Sequence, residues 1–394
     1  MINGNSIKNL AWYPPAETKI PFRAIFGSLF QSSNHFEEVL CNFLGVEKCV
    51  LINSGRALLY LLIEALKRKT GDKRNEVLVP GYTCYSVAAS IAKAGLKIRA
   101  YDLDPKSLRP TNLDSLKKNA SDRTLAIISQ HLFGIPSPVE DLRQISKSIG
   151  ACLIEDAAQA LGGTMNGRPL GTMGDFGFFS FGRGKSLPLG AGGALVGREV
   201  EIFSEFNLES KNNGYSSLVS TAVTQIMSNS SLYWIPEMLP IGLGETIFDA
   251  GFNISAMPLL MQKLAENSMS TLHKLNAHRH HIAMTYMEAF DAICIIPVFG
   301  ESKSVYTRFP LLAGPGPIPK ELIRMGVRRM YPKAIADELT IKPYFAKQHK
   351  TTPGASEIAR NLITLPTHMG ISEVLAQKIA RKVKDAFNFR RIYN

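Results

Sequence analysis

The sequence predicts an α/β fold: a mostly parallel sheet covered by helices on both faces, followed by a smaller C-terminal α+β part. Three observations predict it. Short apolar runs alternate with helical stretches from residue 36 to residue 197. Several of these runs are apolar almost throughout rather than at every second position, the pattern of strands buried on both faces. Beyond residue 255 the alternation gives way to one long helical pattern and a tail with two strands. A chain of 394 residues has room for two domains, and the change of pattern divides it as 1–255 and 256–394.

The elements follow in order. Phe36 to Leu44 has helical spacing and stops at Gly45; the apolar run Cys49 to Ile52 ends at Asn53-Ser54-Gly55, and a helix former runs from Ala57 to Lys69. The same beat recurs with Val77 to Val79 before Pro80-Gly81 and a helical stretch from Val87 to Ala94 closed by Gly95. Ile98 to Tyr101 and Leu125 to Ser129 read as strands, Val139 to Ser148 as a helix ending at Gly150, and Cys152 to Ile154 as a buried strand ending in Glu155-Asp156. Phe178 to Phe181 and Ala194 to Val196 complete seven strands. Residues 205–245 read as irregular, with Trp234, Pro236 and Pro240. Met257 to Phe290 is a long helix, Arg308 to Leu312 and Leu362 to Leu365 are strands, and Ser372 to Phe387 is a basic amphipathic helix.

Composition narrows the function classes. The chain is 45% apolar and 20% charged, too apolar for disorder. Its five cysteines (Cys41, Cys49, Cys84, Cys152 and Cys294) form no CxxC pair, which argues against a disulfide framework or a cysteine zinc site and fits a reducing compartment. No basic head followed by an apolar region opens the sequence, so a cytoplasmic location is expected. The longest uncharged stretch, Asn212 to Pro236, is too rich in Ser, Asn, Thr and Gln to span a membrane. Net charge is +12, and Lys320 to Asn394 holds +9 of it, from 15 basic and 6 acidic residues. An ordinary solvated face accounts for such an excess; an anionic substrate or membrane surface is the sharper alternative. The last helix lacks interleaved aromatics and a DNA motif, so no nucleic-acid partner is expected. His278-Arg-His280-His281 has no carboxylate or Cys partner and reads as a solvated helix face, so no metal is expected.

The chemistry concentrates between residues 155 and 193. Glu155-Asp156-Ala-Ala-Gln159 is followed by Gly171-Thr-Met-Gly174, by Ser180-Phe-Gly-Arg183-Gly-Lys185 and by Gly190-Ala-Gly192-Gly193. Ligands of open α/β sheets bind beyond the carboxyl ends of the strands, where Asp156, Ser180 and Lys185 lie. A lysine among glycines can act as a Schiff-base nucleophile, and a buried carboxylate can keep a pyridine nitrogen protonated. Those are the two protein groups that pyridoxal phosphate (PLP) demands. Its phosphate needs a Gly-containing strand-to-helix turn with unpaired N–H groups, which Ser54-Gly55-Arg56 offers, with the Ser180 hydroxyl beside it. His131, after a strand of the same sheet, reads equally well as a site residue or as a structural histidine.

On these motifs the chain resembles the DegT/DnrJ/StrS family of PLP-dependent, mostly nucleotide-sugar, aminotransferases. The match runs from about Phe36 to Phe387 and is carried by Asn53-Ser54-Gly55, Val79-Pro80-Gly81-Tyr82-Thr83, Glu155 to Gly193, Gly251-Phe252-Asn253 and Leu365-Pro366-Thr367-His368. The resemblance implies fold type I, the aspartate aminotransferase architecture with its seven-stranded-type sheet. It implies that Lys185 carries the cofactor and shuttles the proton, that Asp156 pairs with the ring nitrogen, and that Gln159 lies near the ring hydroxyl. Ser180 and the backbone of Gly55 and Arg56 then hold the phosphate. Asn253 would reach the phosphate of a second subunit's cofactor, since family members form homodimers with shared sites.

The sequence departs from the family at several points. Arg56 stands where Thr is usual, and Cys84 where an aromatic stacks on the ring, leaving Tyr85 or Tyr82 to take that place. Ser255 stands where the family has an Arg, which Arg183 could replace. The implied activity is transfer of an amino group, with glutamate as the first-choice donor, to a keto-sugar, nucleotide-linked, in envelope polysaccharide or secondary-metabolite synthesis. Two alternatives remain. One is a sugar dehydratase relative, although those replace the lysine with His. The other is a catalytically silent fold that meets anionic membrane through the basic C-terminal part and the Leu232–Leu243 loop.

Overall fold

The structure is a computed structural model that describes residues 11–71, 73–206, 208–210, 212–239, 246–291, 295–298, 300–347 and 351–387. Cys294 and the last residues of the Leu232–Leu243 loop lie outside the described residues. The first half contains α1 (Phe22–Phe30), α2 (Phe36–Leu44), β1 (Cys49–Ile52), α3 (Gly55–Thr70), β2 (Glu76–Pro80), α4 (Tyr85–Lys93), β3 (Lys97–Tyr101), α5 (Leu113–Asn119), β4 (Thr124–Gln130), α6 (Val139–Ile149) and β5 (Cys152–Asp156). There follow β6 (Thr164–Met165), β7 (Arg168–Pro169), β8 (Phe176–Ser180), β9 (Gly193–Gly197), α7 (Tyr215–Met227), α8 (Trp234–Met238) and α9 (Leu259–Ala289). The chain ends with β10 (Ser302–Lys303), β11 (Phe309–Leu312), α10 (Lys320–Arg324), α11 (Pro353–Asn361), β12 (Leu362–Leu365) and α12 (Glu373–Ala386).

The seven expected strands form one sheet in the order β1-β9-β8-β5-β4-β2-β3, which makes β5 the central strand. The pairs β3–β2, β2–β4, β4–β5 and β5–β8 are parallel, and only the β9 pairings are antiparallel. Leu51, Leu78, Ile127, Leu153 and Phe179 point into one apolar cluster. Their neighbours Ile52, Val77, Ile128, Ile154 and Phe178 point into a second one on the other face. Because both faces are covered, the strands need no polar positions, and their sequences show few.

Helix ends follow local chemistry. Gly45 and Gly150 close α2 and α6 in left-handed conformations, with φ of 66° and 63°. Ser54 caps α3 through its hydroxyl, which accepts from the Ala57 N–H at 3.3 Å. The two strands expected in the tail pair as β11-β12, whereas the sheet β10-β6-β7 carries little sequence signal, its strands being two residues each.

Two expectations change. Residues 205–245 contain an ordered helix, α7, that buries little beyond Leu218 and Thr221. Its Ser, Thr and Val content is poor for helices, so propensity conceals it. The basic helix α12 turns Ala376, Ile379, Ala380 and Val383 inward, and it packs on α9. Its apolar stripe is therefore already covered by protein, and the face left to solvent is the charged one.

Close packing around β8 gives a direct test. A Cβ on Gly177 would fall 1.9 Å from the Gly171 carbonyl oxygen, a backbone atom that cannot swing aside. Gly177→Ala should lower unfolding free energy in denaturant by about 3 kcal/mol; an unchanged midpoint would contradict the packing.

Candidate functional site

The site forms where β4, β5 and β8 end beside the start of α3. Successive side chains of a strand point to opposite faces, so the adjacent acids at the end of β5 do different things. Glu155 is fully buried and points away from the cavity. It accepts from His131 Nε2 at 2.7 Å, from the Gly171 N–H at 3.0 Å, and from the N–H groups of Met173 and Gly174. The Ser137 N–H donates to His131 Nδ1 at 3.0 Å, so Nε2 is the nitrogen that carries hydrogen toward Glu155. Of the two readings left open for His131, the structure supports the structural one. Burial alone would push the Glu155 carboxyl up, but the His131 N–H and the backbone N–H groups outweigh it and hold it below its ordinary value.

Asp156 faces a cavity of about 700 Å³, within the roughly 300–1,000 Å³ range of small-molecule sites. Its Oδ1 accepts from the Ala158 N–H at 3.1 Å, and Gln130 Nε2 lies 3.5 Å from Oδ2. Burial pushes its carboxyl up, and the Lys185 charge, the Ala158 N–H, His131 and Gln130 pull it back only in part. Lys185 lines the same cavity, and its Nζ makes no hydrogen bond among the described residues. The lysine's backbone is held from behind. Arg279 of α9 is fully buried and donates to the Ser186 carbonyl at 2.9 Å and the Lys185 carbonyl at 3.4 Å, with Asn276 Oδ1 at 2.7 Å. This corrects the reading of residues 278–281: His280 and His281 face solvent, but Arg279 is core. Among the described residues no group of His, Cys, Asp and Glu could hold a metal.

In the same cavity as Lys185, α3 begins at the wall. A Cβ on Gly55 would come within 3.1 Å of the Ser180 Cβ, so glycine is what lets the helix N-terminus approach that hydroxyl. Ser54, Gly55, Arg56 and Ser180 all line the cavity, an N–H-rich and hydroxyl-bearing cradle suited to a phosphate. Arg56 lies 3.6 Å from Asp249 and stacks over the Phe252 ring at 5.4 Å. An acid, an open amine and this cradle in one cavity fit the ring nitrogen, aldehyde and phosphate of PLP.

The remaining expected residues divide. Gln159 is buried at the cavity wall, held by the Thr307 hydroxyl at 3.1 Å and by Tyr331 at 3.5 Å. Cys84 lines the cavity, but Tyr85 does not: it begins α4, points into the apolar cluster on the other side, and donates to the Lys333 carbonyl at 3.2 Å. Tyr82 is buried against Tyr331, with ring centroids 5.2 Å apart. Tyr331, which sequence reasoning missed, lines the cavity, as do Phe178 and Phe252. Asn253 sits on the rim of the chain's own cavity, where its carbonyl accepts from Asn53 Nδ2 at 3.1 Å. Gln130 was also missed, although strand register pairs it with Asp156.

Glu155→Gln should cost about 2–3 kcal/mol of unfolding free energy, because an amide gives up hydrogen bonds to a charged acceptor and turns an NH2 toward buried N–H donors. Because the carboxyl is held low in the folded chain, its contribution is full above the unfolded value, about 4.3, and is lost as pH falls through the folded value. Denaturant titrations should therefore show the gap between wild type and variant closing below about pH 4.

Comparison with known proteins gives the family. GDP-perosamine synthase of Vibrio cholerae is 30% identical over 181 residues, covering 46% of this chain and 48% of that protein. The dTDP-4-dehydro-2,3,6-trideoxy-D-glucose 4-aminotransferase of Saccharopolyspora spinosa is 33% identical over 169 residues, 42% of this chain and 43% of the other. The chain thus matches about half the length of these curated relatives. Among solved structures, the Helicobacter pylori aminotransferase of pseudoaminic acid biosynthesis superimposes with a TM-score of 0.73 at 19% identity, over 95% of this chain and 99% of that one. The E. coli GDP-4-keto-6-deoxy-D-mannose-3-dehydratase gives 0.73 at 18%, over 96% and 100%. At these identities the two structures share the fold. The model of the DegT/DnrJ/EryC1/StrS aminotransferase family matches residues 25–384, and the chain belongs to that family.

Proposed function

We propose that this protein is a PLP-dependent aminotransferase. It moves an amino group from an amino acid, with glutamate the first donor to test, to the keto group of a nucleotide-linked sugar in envelope polysaccharide or secondary-metabolite biosynthesis. One observation carries the reading: Asp156 and Lys185 share one cavity with the α3 N-terminus and Ser180. When bound, the cofactor supplies an electron sink for the carbon that loses its proton. Asp156 would hold the proton on the ring nitrogen, Lys185 would hold the aldehyde carbon, and Ser180 with the N–H groups of Gly55 and Arg56 would hold the phosphate. Gln159, fixed by Thr307 and Tyr331, would lie beside the ring. Lys185 Nζ, open to the cavity, is placed to take and return the proton at the substrate carbon. A lysine at this position also favours transfer over dehydration.

A carboxylate-bearing donor needs a cation near the lysine. Arg308 makes no hydrogen bond or ion pair among the described residues, and its Nη2 lies 4.0 Å from where a Cβ on Gly184 would sit. The reading keeps the division into residues 1–255, which would hold the cofactor, and 256–394, which put Tyr331 on the cavity wall, Thr307 behind Gln159 and Arg308 beside Gly184. It includes a homodimer in the cytoplasm. No helix among the described residues is long and apolar enough to cross a membrane.

Three measurements test the proposal. Borohydride should fix the cofactor on the peptide containing Lys185, and Lys185→Ala should lose about 10²–10⁴-fold in kcat; attachment to another lysine would overturn the assignment. Arg308→Gln should raise the donor KM about tenfold to a hundredfold without changing cofactor uptake. Asp156 gives a pH signature. Its carboxyl is held high, so the folded chain is penalised as pH rises through the unfolded value, about 3.9, and on through the folded one. Cofactor-free Asp156→Asn should therefore melt above cofactor-free wild type at pH 7, converge with it near pH 4, and melt below wild type once cofactor is added.

A further inference from the structure

A second recess of about 190 Å³ lies between α7 and the loop that carries Lys185. Gly190 and Ala191 line both this recess and the main cavity, so the two share an edge. One side of the recess is Arg183, two residues before Lys185. The other side is a single face of α7: Ser216, Ser217, Ser220, Thr221 and Thr224 recur at helical spacing and line it, with Thr18 at its border. Thr221 is committed to the fold, since its hydroxyl donates to the Leu189 carbonyl at 2.6 Å. The hydroxyls of Ser216, Ser217 and Thr224 make no hydrogen bond among the described residues. Arg183 Nη2 donates to Ser220 Oγ at 3.1 Å and has no carboxylate partner among the described residues.

The chemistry of this recess is one-sided. Its lining holds a guanidinium and several hydroxyls but no carboxylate, and α7 has no charged residue along its length. Such a lining suits a group with many acceptor oxygens and negative charge, because Arg and hydroxyl donors match phosphate oxygens. The volume equals roughly six waters at about 30 Å³ each, room for a phosphate or diphosphate rather than a whole nucleotide. α7 buries only Leu218 and Thr221, and its hydroxyl face is turned to the recess.

We propose that Arg183 and the hydroxyl face of α7 form the subsite for the phosphate-bearing end of the amino acceptor, beside the edge shared with the cavity of Lys185. The proposal rests on the aminotransferase reading of the main cavity and names the anionic group that the acceptor presents there. A donor carboxylate has the same anionic-oxygen chemistry, so the experiment separates the two sources.

Wild-type holoenzyme and its Arg183→Met, Arg183→Lys and Ser220→Ala variants are titrated calorimetrically with pyrophosphate, UDP, GDP and dTDP. Glutamate turnover in half-reaction is followed in parallel by the cofactor's visible absorbance. The expected result is that wild type binds pyrophosphate and at least one nucleoside diphosphate. Arg183→Met should weaken that binding tenfold or more, with Arg183→Lys and Ser220→Ala in between, while the glutamate half-reaction stays within twofold. Arg183 is exposed, so its variants should melt as wild type does and a loss of binding reads on the subsite. Failure of all four probes to bind wild type, or equal binding by Arg183→Met, overturns the proposal. So does loss of the glutamate half-reaction in Arg183→Met with diphosphate binding intact, which assigns the arginine to the donor. If wild type takes up no cofactor, or aminates it from no amino acid, the aminotransferase reading fails separately, because the titrations do not depend on turnover.

Discussion

Glu155 receives hydrogen bonds from His131 and from three backbone N–H groups of the Gly171–Gly174 loop. Much of the site depends on that buried carboxylate. It ties the end of the central strand to the loop that leads into β8, and β8 ends in Ser180. It also fixes which way the next residue points. A strand alternates its side chains, so anchoring Glu155 on one side commits Asp156 to the cavity. A slip of one residue in β5 would exchange the two acids, placing the longer one in the cavity and the shorter one out of reach of its donors. Chemistry and fold are therefore set by the same register.

The cavity is lined by residues between 53 and 253 and by Tyr331, and the later part of the chain braces it from behind. Residues 54–56 and 180–185 supply the cradle and the amine, whereas Thr307 and Tyr331 hold Gln159 in place and Arg279 holds the Lys185 carbonyl. Arg279 has no carboxylate within ion-pair distance among the described residues, and its Nε is unpartnered. A buried cation that lacks a counter-ion is costly. Its neighbouring acid is Glu17, itself buried and engaged with the Met369 N–H at 3.0 Å. The N-terminal segment, α9 and the C-terminal part thus meet behind the lysine.

The sheet was legible because its strands are buried on both faces, so Cys49 to Ile52 or Cys152 to Ile154 stand out as apolar runs between glycines. Asp156 and Lys185 were legible because strand ends of an open sheet converge on one crevice. Other features depend on contacts that no local pattern records. Tyr85 turned away from the cavity because α4 begins two residues earlier than Val87 suggested, which places Tyr85 inside the helix and sets its phase. Tyr331 and Thr307 lie about 150 residues or more from Gln159, which they support. Arg279 was hidden among histidines that do face water. The helix α7 has apolar residues at helical spacing in Leu218, Ala222 and Ile226, but its hydroxyl-rich composition reads as loop.

The bond from Arg279 to the Lys185 carbonyl spans 94 residues of sequence. During synthesis the lysine loop leaves the ribosome well before the guanidinium that will brace it exists. A nascent chain that has reached only the end of β9 already contains the acid, the amine and the phosphate cradle, yet nothing from α9 supports the amine's backbone. Ordering of the Lys185 backbone is thereby postponed until α9 has been made.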